Sequence, residues 1–175
     1  MKTRLVLFFL IASLFSCHIV KNTRNDSKNA FDIDSIKKEE LRITLINDTS
    51  QISWIAGNFL SFWTPSTNQL IVIDSITQQT IKENKKEFYK RLTPSTFKNY
   101  FRQYSCYIDK NGDSIAFINA ICEIRLNPEP DLKGNYRVDW QHEIITVKDG
   151  GECFWCLWIN FTKRKSTKFV VNGEA

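Results

Sequence analysis

The clearest chemical spacing in the chain is Cys153-Phe154-Trp155-Cys156, which places two thiols three residues apart. Such a pair can cycle between dithiol and disulfide, the chemistry of a thiol–disulfide redox accessory. Redox pairs of this kind gain a low thiolate pKa from a helix N-terminus, whereas the apolar residues around Cys156 predict a strand. A strand would point the two sulfurs to opposite faces. We therefore keep redox chemistry as an alternative and expect structural disulfides or buried thiols here.

The cysteines beyond the N-terminal region form an even set: Cys106, Cys122, Cys153 and Cys156. In an oxidising compartment an even number predicts disulfides, and four cysteines allow three pairings. A two-residue hairpin turn at Asn111-Gly112 would place Cys106 opposite Phe117, so Cys106 and Cys122 are not expected to bridge that hairpin directly. The sequence leaves the pairing otherwise open.

His142 could belong to a zinc site or act in acid–base catalysis, but the sequence offers too few suitable residues for either role. Zinc needs four Cys or His ligands, and His142 comes near Cys153 only in a favourable strand register. His142 and Glu143 are neighbours on a predicted strand, so they face opposite sides and cannot act on one substrate atom. The sequence therefore predicts no metal, no cofactor and no catalytic residue.

Three tryptophans in the C-terminal part, Trp140, Trp155 and Trp158, form the candidate binding surface. Tryptophan presents a large contact area at low entropic cost, which suits a platform for a protein, peptide or glycan partner. The alternative is that these side chains belong to the core.

The charge balance argues against nucleic acid as a partner. The chain carries 24 Lys and Arg against 19 Asp and Glu, a formal net charge of +5 that becomes +3 if Lys2 and Arg4 are removed with a leader. The basic residues are scattered, with no basic helix face and no aromatic-basic signature of an RNA-binding sheet. We therefore expect no nucleic-acid binding.

The first 17 residues follow the pattern of a secretory leader: a basic start, an apolar run from Leu5 to Phe15, then Ser16 and Cys17. The run spans about 16 Å as a helix, against a hydrocarbon core of roughly 30 Å, so it is too short for a permanent membrane span. Leu14-Phe15-Ser16-Cys17 resembles the bacterial lipobox. The alternative is an ordinary signal peptide that is cut elsewhere.

The lipobox resemblance implies a lipoprotein precursor that is cleaved before Cys17. The Cys17 thiol would receive a diacylglyceryl group and its new amine a fatty acyl chain such as palmitate, and two or three chains give stable anchoring. Because His18 rather than Asp follows the cysteine, sorting to the outer membrane is expected. The predicted organisation is a signal peptide at 1–16, a lipid-anchored polar tether at 17–48 and one domain at 49–175.

Helical patterns dominate the first half of the predicted domain. The apolar stretch 52–63 is expected in the core, and Thr64-Pro65 is typical of a helix start, which predicts a helix over 65–83. The β-branched run at 70–73 favours a strand as the alternative. A second helix is predicted at 85–92, and a further helical turn after Thr93 from the spacing of Phe97, Tyr100, Phe101 and Tyr104.

Strand patterns dominate the second half. Asn111-Gly112 is a strong two-residue hairpin signal, and it predicts strands at 107–110 and 113–117 with Ile108 opposite Ile115. Further strands are predicted at 138–148, 153–161 and 169–172, with a tight turn at Asp149-Gly150-Gly151. The expected fold class is therefore α+β, with helices followed by an antiparallel meander of four to five strands.

The motifs around 107–119, 149–155 and 171–175 resemble a group of small, functionally uncharacterised bacterial lipoproteins. The resemblance covers about the last 90 residues, and its motifs are turn and strand motifs. It implies a sheet like that of cystatin-like or peptidase-propeptide-like domains, an analogy of fold that assigns no activity.

The function expected from the sequence is that of a non-enzymatic lipoprotein of the cell envelope, a binding or interaction module held at the membrane by its N-terminal lipid. The alternatives are a redox accessory that uses Cys153 and Cys156, and an inhibitor or immunity-type protein.

Overall fold

A computed structural model describes residues 42–85, 91–124, 130, 132, 134 and 137–173, all within the compact unit Asp32–Ala175. The predicted signal peptide, Cys17 and most of the predicted tether lie outside the described residues, as does most of the helix predicted at 85–92. None of the helices in the described part of the chain combines the length and apolar character needed to cross a membrane.

The centre of the structure is a six-stranded, mostly antiparallel sheet. Its strands are β1 (Ile43–Leu45), β2 (Phe59–Phe62), β3 (Phe101–Asp109), β4 (Ser114–Ile121), β5 (Phe154–Asn160) and β6 (Lys165–Val171). Strands β3 to β6 form an antiparallel meander. The outer edge of β3 is shared by β1, which runs parallel to it, and β2, which runs antiparallel. The predicted α+β class is confirmed.

The order of the elements differs from the expected succession of helices and then strands. Helix α1 (Thr49–Ala56) lies between β1 and β2, and helix α2 (Thr67–Glu83) lies between β2 and β3. The strands β1 and β2 are only three and four residues long, so they carry little strand signal in the sequence. Strand β1 falls within the stretch assigned to the tether, and its pairing with β3 brings residues 43–45 into the sheet.

The helix expected at 65–83 is present, and it begins two residues later. Ser66 is its N-cap, and the Ser66 side chain and Gln69 form a reciprocal capping box that satisfies two free backbone N–H groups. Residues 70–73 are helical, so the strand alternative for this run is wrong. Helix α1 begins in the same way, because the Asp48 carboxylate accepts a hydrogen bond from the Ser50 backbone N–H.

The helical spacing after Thr93 continues only as far as one 3₁₀ turn, Phe97–Asn99. Phe101 and Tyr104 lie instead in strand β3, where Tyr104 pairs with Ile118. Side chains alternate along a strand, so Arg102, Tyr104 and Cys106 share one face of the sheet. This two-residue period, rather than the helical spacing of the aromatic residues, describes the chain from Phe101 onward.

The predicted hairpin is present, but its turn is one residue longer. Ile108 pairs with Ser114 rather than Ile115, and the Gly112 backbone N–H donates to the Asp109 carbonyl with Gly112 at φ 83°. The Asp109 carboxylate accepts from the backbone N–H groups of Asn111 and Asp113, which fixes a three-residue loop ending in a left-handed glycine.

The strand predicted at 138–148 is wrong, because these residues form turns and irregular chain. This segment lies over the sheet and is described below. The strands predicted at 153–161 and 169–172 correspond to β5 and β6, and β6 begins four residues earlier, at Lys165, because the turn before it is short.

The two faces of the sheet carry separate clusters of buried side chains. One cluster joins helix α2 through Ile73 and Ile81 to Tyr104, Trp155 and Leu157. The second joins α1 through Ile52 to Tyr107 and Phe117 on the opposite face. The stretch 52–63 is only partly core: Ile52 is buried, whereas Trp54 and Leu60 are 63% and 67% exposed, because a short helix and an edge strand each bury one side only.

Candidate functional site

One disulfide joins Cys122, just after β4, to Cys153, just before β5, with 4.8 Å between their Cα atoms. The Cys122 backbone N–H also donates to the Cys153 carbonyl, so the bond extends the β4–β5 pairing. The Arg91 guanidinium lies 3.3 Å from the Cys122 sulfur. Each of the three pairings that the sequence allowed has two bridges, whereas the structure forms one bridge and leaves Cys106 and Cys156 free.

The two remaining cysteines, Cys106 and Cys156, are free thiols on opposite faces of the sheet. Burial raises the pKa of Cys106 to about 12 and that of Cys156 to about 11. The Cys156 thiol donates a hydrogen bond to the Asn119 side-chain oxygen. Cys153 is bonded to Cys122 rather than to Cys156, and Cys156 is not a thiolate near neutral pH, so the structure does not give these two residues the features of a redox pair.

The three tryptophans of the candidate binding surface do not share one face. Trp155 is completely buried against Tyr100 and Phe169, because its position in β5 points it toward helix α2. Trp158 is half-buried on the opposite face, where its ring packs on Phe117. The expectation that Trp155 contributes to a surface is therefore wrong, whereas Trp140 and Trp158 line two separate clefts.

Trp140 belongs to an irregular segment, residues 138–149, that we call the strap. The strap crosses the face of the sheet opposite α2, and its backbone is held by side chains rather than by a strand. The Gln103 amide nitrogen donates to the carbonyls of Trp140 and Glu143, both at 2.6 Å, and the Gln103 oxygen accepts from the Ile145 N–H. Gln103 is almost fully buried.

Further polar side chains complete the attachment of the strap. The Asn119 amide donates to the Ile145 carbonyl, and the Gln51 side chain donates to the His142 carbonyl and accepts from the Ile144 N–H. Thr44 and Asn172 donate to other strap carbonyls, at Gln141 and Val147. These contacts supply side-chain partners for the backbone groups of a segment that forms no strand.

A cleft of about 770 Å³ lies beside the strap. Its walls include Phe101 and Trp140, whose rings meet edge to face at 5.0 Å. The Arg42 guanidinium stacks at 4.9 Å from the centre of the Phe101 ring and also donates to the Asn99 carbonyl. We call this feature the aromatic cleft.

Both signs of charge line the aromatic cleft. Arg42 and Arg137 contribute the guanidinium groups, and Glu123, Asp139 and Glu143 contribute carboxylates. Asp139 is also 2.8 Å from the exposed His142 ring. Both His142 and Glu143 are exposed, and the described contacts of His142 include no nucleophile. An acid–base role for these two residues therefore gains no geometric support.

Three ligand-type atoms near the disulfide, from Cys122, Glu123 and Cys153, lie within 4.8 Å of one another. The two sulfurs are bonded to each other and have no thiolate lone pair to offer a metal, so this grouping is a disulfide beside a surface carboxylate.

The sequence did not reveal the side chains that hold the strap, those of Gln103, Gln51 and Asn119. Gln103 lies between Arg102 and Tyr104 in a strand, where a polar residue normally indicates a solvent-facing position. Gln51 and Asn119 gave no signal either, since their partners are far away in the chain. Comparison of the chain with protein-family models, with curated proteins and with solved structures finds no match.

Proposed function

We propose that this protein is a cell-envelope lipoprotein, anchored through Cys17, that acts as a non-enzymatic interaction module and binds its partner at the aromatic cleft. The observation that carries the proposal is the grouping of Phe101, Trp140 and Arg42 in one open cleft. Aromatic and arginine side chains are the residue types that contribute most to binding energy at protein interfaces.

The attachment of the strap supports this proposal. Binding sites work best when their side chains are held in place before the partner arrives, because less conformational freedom is lost on binding. The carbonyl of Trp140 is fixed by Gln103, a buried residue of the central strand β3. The cleft therefore has one wall on the rigid sheet and another on a segment tied to it.

A peptide or protein loop fits the cleft better than a glycan does. The rings of Phe101 and Trp140 are inclined by 67° to each other, so they do not form a single flat platform for a sugar ring. Guanidinium and carboxylate groups line the same cleft, which suits a segment that carries both charges. An inhibitor or immunity-type role would use the same surface.

At the level of fold, we propose a cystatin-like or peptidase-propeptide-like arrangement. The long helix α2 packs across one face of the antiparallel meander β3 to β6, as expected for such domains. This analogy of fold adds no activity to the proposal.

The binding proposal is tested with the mature, detergent-extracted protein and a randomised peptide library. Selected peptides are expected to bind at least tenfold more weakly to Trp140→Ala and Phe101→Ala variants, because a central aromatic anchor contributes about 1.4 kcal/mol or more. Trp54→Ala is the matched control, since Trp54 is exposed and lies outside the cleft. Equal loss in the Trp54 control, or none in the two cleft variants, would contradict the proposal.

The anchoring proposal has a separate test. The intact mass of the membrane-extracted protein is expected to show cleavage before Cys17 and an added diacylglyceryl group with a further acyl chain. A Cys17→Ala variant is expected to lack the adduct and to leave the outer-membrane fraction. An unlipidated protein cut at another position would refute the anchor and leave the cleft proposal standing.

A further inference from the structure

A second cleft, of about 590 Å³, lies on the other side of the molecule, between the C-terminal half of helix α2 and the start of strand β6. We call it the basic cleft. Three cationic side chains line it: Lys82 from the helix, Arg164 from the β5–β6 turn and Lys165 from the start of β6. They face one carboxylate, that of Glu83. The lining therefore has an excess of two positive charges, in contrast to the mixed lining of the aromatic cleft.

The single carboxylate of the basic cleft is already engaged. The Gln79 side-chain amide donates a 2.6 Å hydrogen bond to Glu83, one helical turn away. The C-terminal carbonyls of α2 would oppose an anion, and here Asn84 donates to the Thr80 carbonyl through both its backbone and its side chain. The Glu83 carboxylate and the Thr80 carbonyl thus each accept a hydrogen bond within the protein, and Glu83 keeps its negative charge.

Arg164 has a backbone conformation that arginine rarely adopts. Its φ is 51°, the only positive φ of a non-glycine residue in the described part of the chain. It occupies the last position of the turn between β5 and β6, where its N–H donates to the Phe161 carbonyl. Glycine or asparagine would fit this left-handed position with less strain, so the local turn geometry does not explain the arginine. Strained residues of this kind cluster at functional sites.

Neutral polar groups surround the three cations. Ser75, Gln78 and Ser166 also line the basic cleft, and they supply hydroxyl and amide groups that both donate and accept hydrogen bonds. Cations placed among such groups suit an anion that carries hydroxyls of its own. A volume near 590 Å³ is within the range of about 300–1,000 Å³ typical of small-molecule sites.

We propose that the basic cleft binds the phosphate group of a polyhydroxylated ligand, either a free sugar phosphate or the same chemistry in a lipid headgroup. Arg164, Lys82 and Lys165 contact the phosphate, and Ser166 with the glutamines contacts the hydroxyls. Guanidinium and ammonium groups are the usual partners of phosphate, and their charge-assisted hydrogen bonds are stronger than neutral ones. The site is independent of the aromatic cleft and of the anchor.

The test is titration of the detergent-extracted protein with glucose 6-phosphate, inorganic phosphate and glucose, followed by calorimetry. Glucose 6-phosphate is expected to bind most tightly, and glucose is expected not to bind. In Arg164→Gly the affinity should fall at least tenfold while the midpoint of thermal unfolding stays level or rises, since glycine relieves the positive φ. A loss of binding without a loss of stability separates recognition from folding. Lys165→Ala should weaken binding in the same direction.

Lys110 provides the matched control for general electrostatic attraction. It is an exposed lysine on the β3–β4 turn and does not line the basic cleft. Lys110→Ala is expected to change the affinity less than twofold. A loss equal to that in Arg164→Gly, or equal affinity for glucose and glucose 6-phosphate, would overturn the proposal.

The source of the phosphate is distinguished by a vesicle arm, run in the Cys17→Ala variant so that no acyl chain of the protein enters the bilayer. Sedimentation that requires phosphatidylglycerol in the phosphatidylcholine vesicles and is lost on a further Arg164→Gly change, together with binding of the soluble sugar phosphate, would assign the cleft to a headgroup. Binding of glucose 6-phosphate without vesicle association would assign it to a free sugar phosphate. Absence of both kinds of binding would refute the site.

Discussion

The side-chain amide of Asn119 donates a 2.7 Å hydrogen bond to the side-chain oxygen of Gln103, directly beneath the strap. The two residues are paired across strands β3 and β4. Both also bond to Ile145, through its carbonyl and its N–H respectively. This pair is the main polar connection between the sheet and the segment that carries Trp140.

Replacing Gln103 by leucine is expected to lower the free energy of unfolding by about 2–4 kcal/mol, because the partly buried carbonyls of Trp140 and Glu143 lose their donor and the Ile145 N–H loses its acceptor. Urea denaturation measures the loss, and hydrogen exchange of the Ile145 amide should accelerate with it. Gln141→Leu is the control, since Gln141 is an exposed residue of the strap. Equal stability of the two variants would show that the Gln103 contacts do not hold the strap.

The ion pair between Arg102 and Asp74 gives a second prediction. The Arg102 side chain is 0% exposed, and its guanidinium lies 3.1 Å from the Asp74 carboxylate, which is 15% exposed. Asp74→Asn is expected to cost about 3–5 kcal/mol, because a buried cation loses its charge partner. Lys98→Ala, which removes the more exposed partner of Asp74, should cost less than about 1 kcal/mol. Thermal or urea unfolding would contradict this if the two costs were equal.

Two glycines with positive φ differ in their surroundings, which gives a third prediction. A Cβ on Gly112 would meet nothing within 4 Å, whereas a Cβ on Gly150 would lie 2.6 Å from a carbon of the Phe154 ring. Gly112→Ala is therefore expected to cost about 1 kcal/mol from backbone strain alone. Gly150→Ala should cost at least twice as much in the same denaturation assay, and a smaller cost at Gly150 would mean that Phe154 moves aside freely.

The free thiols predict how stability depends on pH. Unfolded cysteine thiols have a pKa near 9.0, and burial raises the pKa of Cys106 to about 12 and that of Cys156 to about 11. Between pH 9 and 11 the unfolded chain loses protons that the native state keeps, so the free energy of unfolding falls as the pH rises. Below about pH 8 the thiols are protonated in both states, so these groups add no pH dependence there.

The measurement is urea denaturation at several pH values above 8. The Cys106→Ala variant is expected to show a shallower fall, by up to about 1.4 kcal/mol per pH unit. Tyr100 and Tyr107, whose pKa values burial raises to about 12, add to the fall above pH 10 in both proteins. Identical slopes in the parent and the variant would show that Cys106 ionises equally in both states.

The disulfide gives a fifth prediction. The bond between Cys122 and Cys153 closes a separation of 31 residues that includes the strap. Replacing both cysteines by serine is expected to lower the free energy of unfolding by about 3–4 kcal/mol through the greater freedom of the unfolded chain. The pairing is checked by alkylating the unfolded protein before and after reduction. Before reduction, Cys106 and Cys156 should be labelled and Cys122 and Cys153 should not. Labelling of Cys122 or Cys153 before reduction would contradict the pairing.

Local patterns in the sequence were enough for several elements. Helix α2 follows from its apolar spacing and its start signals, and the β3–β4 hairpin follows from Asn111-Gly112, because these signals act between residues a few positions apart. The exact bounds of these two elements depended on single side chains. Ser66 caps the helix and sets its first residue, and the Asp109 carboxylate stabilises a turn one residue longer than expected. Sequence spacing alone does not rank such competing caps and turns.

The sequence by itself determined that this chain forms an α+β domain with an antiparallel meander, since alternation and helical periodicity are written into neighbouring residues. Only the tertiary structure decided that Trp155 is core and Trp140 lines a cleft, that Cys153 pairs with Cys122, and that residues 138–149 form a strap. Those outcomes depend on contacts between distant residues, such as Gln103 with Trp140, 37 positions apart. The register that creates such contacts is an energetic property of the whole sheet, so no short stretch of sequence specifies it.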